Sequence, residues 1–214
     1  MVEERAERAS RNHIFVPSPR VVRWFENFEA RHGTTSYDVV DGVLRARAED
    51  GSQASCTLPF DERYAGIASP EALAAAVAAP KAWGILLVRK GGFAVARLAG
   101  ERMVESKVGQ RHVQGRTKAG GQSQQRFARR RDNQATAAYA AAADHAARIL
   151  TGRLTAVVTG GDKDAVHAVL TDPRLTALSG SRTSLWLAVP DPRRAVLEQA
   201  VADACATQVT VRNA

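Results

Sequence analysis

The sequence predicts an α/β fold, a mixed sheet packed with helices and preceded by a small helix-plus-hairpin region. Three observations predict it. Strand-like and helix-like runs alternate after residue 150, the pattern of a layered α/β unit. An alanine-rich stretch, residues 135–147, offers a helix small enough to pack closely against a sheet. Two apolar runs, residues 83–88 and 93–98, flank Lys90-Gly91-Gly92, a hairpin-turn composition that tolerates positive φ.

Taken in order, residues 1–17 read as a flexible leader, polar and charged with both signs. Ser18-Pro19 reads as an N-cap followed by a first-turn proline. Val21, Trp24, Phe25 and Phe28 follow at helical spacing until His32-Gly33 stops the helix. Residues 37–47 and 52–58 read as two strands joined at Glu49-Asp50-Gly51. Ser69-Pro70-Glu71 opens a short alanine-rich helix that Pro80 closes, and a domain boundary is set there. Residues 18–80 thus form the small N-terminal region and 81–214 the second domain.

After its hairpin, that domain continues with a strand near residues 103–108 and a basic, glycine-bearing loop over 107–124. Ser123 suits a cap for a long helix from about residue 125 to 150, stopped by Gly152. Strand 154–159, helix 163–170, strand 185–189, helix 192–204 and strand 208–211 complete the alternation.

Composition bounds the function. Hydrophobic residues at 45% and charged residues at 24% over 214 positions are ordinary for a globular chain. No apolar run approaches a bilayer span and no apolar leader resembles a signal peptide, so the expectation is a cytoplasmic protein without a membrane partner. Cys56 and Cys205 form no CxxC pair, and His13, His32 and His167 form no metal spacing, so no metal or other cofactor is expected. Net charge is +8, and its placement is informative. Eight of the 30 basic residues lie between Lys107 and Arg131, a stretch with no acid; the other 22 equal the 22 acidic residues. All the excess charge sits in one segment, as a local polyanion contact requires.

Residues 115–131 read Gly-Arg-Thr-Lys-Ala-Gly-Gly-Gln-Ser-Gln-Gln-Arg-Phe-Ala-Arg-Arg-Arg. Paired glycines let a backbone approach a ligand closely. A helix start favours nearby phosphate. Arg126, Arg129 and Arg130, at i, i+3 and i+4, share a helix face suited to a phosphodiester backbone. The candidate RNA-binding residues are Lys107, Arg111, Arg116, Lys118, Arg126, Arg129, Arg130 and Arg131. His112 joins them as a possible RNA contact.

This string resembles the catalytic loop of archaeal and eukaryotic peptide-chain release factors, GGQ followed by S-x-x-R-F-A-R. Every fixed position is present: Gly120, Gly121, Gln122, Ser123, Arg126, Phe127, Ala128 and Arg129. The likeness covers roughly residues 81–214 and includes Thr-Gly-Gly-Asp at 159–162 after the long helix. A full factor of that type also carries a stop-codon-reading domain and a GTPase-binding domain, for which 214 residues leave little room. The chain is therefore more similar to the smaller Vms-like release factors (VLRF), in their actinobacterial form. That resemblance implies a release-factor central domain, an RNase H-like layer sandwich. It also implies peptidyl-tRNA hydrolysis at the peptidyl-transferase centre of the large subunit of stalled ribosomes. Gln122, Gly121 and Gly120 are the implied catalytic residues, with peptidyl-tRNA and the ribosome as partners.

Glutamine has no useful pKa, so the implied chemistry is positioning: Gln122 orients a water, or its backbone N–H meets developing negative charge. Three alternatives stand beside this reading. The segment could be a flexible basic loop that binds RNA nonspecifically. It could belong to a noncatalytic ribosome-binding or antibiotic-protection factor. Asp162 and Asp164 could form a two-carboxylate ribonuclease site acting on the tRNA acceptor end, against their plainer reading as turn and helix-start residues.

Overall fold

The computed structural model describes residues 13–110 and 122–214, with side chains described over 13–109 and 136–214. The strands in chain order are β1 (Ile14–Val16), β2 (Thr35–Val40), β3 (Val43–Ala48), β4 (Gln53–Thr57), β5 (Trp83–Arg89), β6 (Gly92–Ala99), β7 (Arg102–Gln110), β8 (Ala156–Gly161), β9 (Arg182–Leu187) and β10 (Thr207–Arg212). The α-helices are α1 (Val21–His32), α2 (Pro70–Ala76), α3 (Gln122–Ile149), α4 (Lys163–Leu170) and α5 (Arg194–Cys205). The fold is mixed α/β, as the sequence predicts, and holds two five-stranded sheets packed with helices, the first where only a hairpin was expected.

Two compact units share these elements, one of residues up to Ala79 plus Ala202–Ala214, the other Pro80–Val201. The first holds an antiparallel sheet in the order β1-β10-β4-β3-β2. Phe25 and Phe28 of α1 and Leu73 of α2 pack on one face of it, against Leu44, Ala46, Ala54, Cys56 and Val209. A local feature fixes one end of each helix. Ser69 caps α2 by accepting from the N–H of Ala72, and Gly33 ends α1 at φ 89°. Ser18 does not cap: its hydroxyl donates to the Ala74 carbonyl at 2.8 Å, while residues 18–20 form a 3-10 turn leading into α1.

Three expectations change here. Residues 37–47 are two strands, not one, because Asp41 and Gly42 (φ 55° and 82°) form a tight turn between β2 and β3. The end of the supposed leader is structured: β1 pairs with β10, and the Thr207 hydroxyl donates to the Val16 carbonyl at 2.8 Å. Residues 1–12 lie outside the described residues. The final strand belongs to the first unit's sheet, between β1 and β4, so residues 202–214 close that unit rather than the second. Its alternating burial is that of a sheet strand with one open face.

The second unit holds the mixed sheet β7-β6-β5-β8-β9, antiparallel from β7 to β5 and parallel from β5 to β9. Residues 83–88 of β5 are all buried, as a central strand covered on both faces requires. β6 is nearly as deep. The expected β5–β6 hairpin turns at Lys90-Gly91, and neither Gly91 nor Gly92 adopts positive φ there. α3 and α4 share a core with Leu86, Val88, Phe93, Val95 and Val157. Gly84 and Gly160 let this layer close: an added Cβ would lie 2.6 Å from Leu150 Cδ2 in the first case and 2.4 Å from the Leu187 carbonyl oxygen in the second.

Candidate functional site

The basic glycine-bearing segment is strung between β7 and α3, so those two elements determine where it starts and finishes. β7 leaves the sheet beside β6, with Gly109 opposite Phe93 and Gln110 opposite Gly92. An added Cβ at Gly109 would come within 2.3 Å of the Phe93 ring, so the strand fits closely over that aromatic. The same ring stacks on His145 of α3, centroids 5.5 Å apart and planes 28° from parallel. One buried phenylalanine therefore touches both the strand entering the segment and the helix leaving it. This role of Phe93 was not legible in the sequence, because it depends on strand register.

The described half of α3 is held firmly. Ala142, Ala143, Ala146 and Ile149 are buried at helical spacing in the core shared with β5 and β6, and Ala138 is buried one turn earlier. Small side chains on that face bring the helix close to the sheet. Ion pairs fasten its flanks: Arg148 pairs with Glu105 of β7, and Asp144 accepts from Arg174 at 2.7 Å. The Arg174 guanidinium and N–H together hold the Asp172 carboxyl down to about 2, and Arg174 is itself pushed up by Asp172 and Asp144.

The predicted site residues fall into three groups. Lys107 is exposed on β7. Gln122 is the first residue of α3, and Arg126, Arg129, Arg130 and Arg131 lie in its opening turns; their side chains are outside the described residues. Arg111, His112, Arg116, Lys118, Gly120 and Gly121 lie wholly outside the described residues. Because α3 starts at Gln122, Ser123 falls within its first turn rather than before it. The strand runs to Gln110, so the first residues of the expected 107–124 loop are sheet.

Of the two carboxylates of the ribonuclease alternative, Asp162 is engaged elsewhere, and Asp164 lies in the first turn of α4. Asp162 stands at the N-cap position of α4. Its carboxylate lies 3.5 Å from Arg89 Nε and accepts from the Lys90 N–H at 3.4 Å. Arg89 also faces Asp191 at 3.6 Å and donates to the Val189 carbonyl at 2.9 Å. The pattern is a tie between the ends of β5, β8 and the segment after β9. Tyr139 on α3 has its phenol pushed up by burial and then by Asp162 and Asp164. The Thr-Gly-Gly-Asp turn owes its glycines to crowding: at Gly161, φ is 104° and an added Cβ would sit 2.1 Å from the Val88 carbonyl oxygen.

The model of one family, described as Actinobacteria/chloroflexi VLRF1 release factor, matches residues 81–210. No curated protein matches the chain.

Proposed function

The chain belongs to the actinobacterial and chloroflexi VLRF1 release-factor family, and from that premise we propose that it is a peptidyl-tRNA hydrolase freeing nascent chains from stalled ribosomes. Family membership carries a release-factor-like role on the ribosome. The finer reading is ours, and the observation that carries it is the contiguous Gly120-Gly121-Gln122-Ser123 string at the start of α3, followed by Arg126, Phe127, Ala128 and Arg129.

In this reading the ester bond between peptide and tRNA is attacked by water in the peptidyl-transferase centre of the large subunit. Gln122 supplies no titrating group, so its contribution is geometric. Its side chain orients the water. Its backbone N–H, at the first position of a helix, has no carbonyl partner within that helix and is available to developing oxyanion charge. Gly120 and Gly121 allow the backbone to come close to the tRNA end. Lys107, Arg111, Arg116, Lys118, Arg126, Arg129, Arg130 and Arg131 bind the surrounding RNA backbone. The second half of α3, packed on the sheet through its buried alanine face, supports the reading by anchoring this segment, since positioning catalysis suffers when geometry loosens.

The test is single-turnover peptide release from purified ribosomes carrying peptidyl-tRNA, at saturating protein, which separates chemistry from binding. Gln122→Ala keeps the N–H and removes water positioning; release should slow by about 10²-fold or more while ribosome binding persists. Release at the wild-type rate by that variant would sink the catalytic reading and leave a noncatalytic factor.

A further inference from the structure

We propose that the open face of the first unit's sheet is a second ribosomal-RNA contact, in which Arg45, Arg47 and Arg212 bind phosphate and the neutral side chains among them bind ribose. It rests on the ribosomal role above for the identity of the RNA. The matched family span begins at residue 81, so β2, β3 and β4 lie outside it.

The face follows from strand periodicity. In β3 and β4, Leu44, Ala46, Ala48, Ala54 and Cys56 are buried, while Arg45, Arg47, Gln53, Ser55 and Thr57 alternate with them on the other side. Register then sets these residues in rows. Arg47 stands opposite Gln53, and Gln53 opposite Arg212; Arg45 stands opposite Ser55, and Ser55 opposite Thr210. A cavity of about 500 Å³ opens on this face, with Arg45, Arg47, Gln53, Ser55 and Thr57 among its lining residues. Arg45 and Arg47 are exposed, and neither makes an ion pair among the described residues. One acid, Asp38, shares the rows, opposite Arg45. Three guanidinium groups against one carboxylate leave the face positive.

The chemistry favours RNA over a protein. Two arginines on one strand face, two residues apart, stand about 7 Å from each other. That is close to the spacing of successive phosphates along a nucleotide strand, and planar guanidinium forks match phosphate oxygens. Serine, threonine and glutamine supply both donors and acceptors, as ribose 2′-hydroxyls require. A protein interface needs apolar anchors at its centre, and the central rows here are polar.

The experiment uses the full chain and purified peptidyl-tRNA ribosomes, with association measured by cosedimentation across a salt series. Both substituted positions are exposed, and circular dichroism with thermal melting checks that each variant is folded. Arg45→Glu/Arg47→Glu should weaken association roughly tenfold and flatten the logarithmic salt dependence by about two. Arg45→Lys/Arg47→Lys should keep the salt slope, since it keeps the charge. Unchanged affinity and slope in the glutamate variant overturn the proposal. Weakened affinity with an unchanged salt slope also overturns it, because the face would then be binding a ribosomal protein. Gln122→Ala, assayed in parallel for release, reports separately on the hydrolase reading: its outcome does not alter what the salt series says about this face.

Discussion

Gly161 combines two constraints that are usually separate, a left-handed φ of 104° and a carbonyl oxygen 2.1 Å from where a Cβ would stand. Gly161→Ala should therefore cost about 2–4 kcal/mol, the sum of backbone strain and a forced shift between β5 and β8. Gly180 is the control: it has open space around it and no positive φ, so Gly180→Ala should be neutral or slightly stabilising. Denaturant midpoints of the two variants check this, and equal midpoints would remove the crowding argument. At this scale the sequence was legible where chemistry is local. Thr-Gly-Gly-Asp could be read as a strand end and turn, and the Gly-Gly-Gln string as a loop tied to a basic helix start. Phe93 and Arg89 could not be read so. Phe93 matters because register sets it opposite Gly109, and Arg89 because residues 73 and 102 positions away supply its two carboxylates.

Among the elements, α3 carries the most weight, since the candidate site stands at one end of it and its anchor at the other. Ala146 is fully buried and faces the sheet core. Ala146→Leu should push the helix off β5 and β6 at a cost of about 1–3 kcal/mol. Slower release at saturating protein should accompany this, with a larger loss in rate than in affinity. A drop in melting temperature with release unchanged would separate the anchor from the site. Elements with strong periodicity were legible: α4 spans residues 163–170 as read, and α1 ends at Gly33 as read. Elements punctuated by short turns were not. Asp41-Gly42 carries a strong hairpin signal, yet apolar residues on both sides made residues 37–47 look continuous. β1 is three residues long and pairs with a strand nearly two hundred positions away, so nothing local announces it.

The whole molecule turns on where the chain's last strand goes. Alternation along the sequence groups residues 208–211 with the preceding β8, α4, β9 and α5, whereas the structure inserts β10 between β1 and β4 of the other sheet. Burial carries the distinction: β8 is buried almost throughout, and β10 alternates, the mark of a sheet with one open face. Val209 is fully buried in the first unit's core, beside Cys56 in register. Val209→Asp places a carboxylate where burial already pushes the Cys56 thiol up to about 11. The substitution should cost roughly 3 kcal/mol or more through desolvation of the new charge and loss of apolar contact. Because β10 is hydrogen-bonded to β1 on one side and β4 on the other, the loss should spread through that sheet. Amide hydrogen exchange on the variant resolves the two topologies. With β10 in the first sheet, protection falls in β1, β3 and β4 and is kept in β5 and β8. A loss confined to β5, β8 and β9 would instead restore the last strand to the second sheet, and with it the expected second domain over residues 81–214.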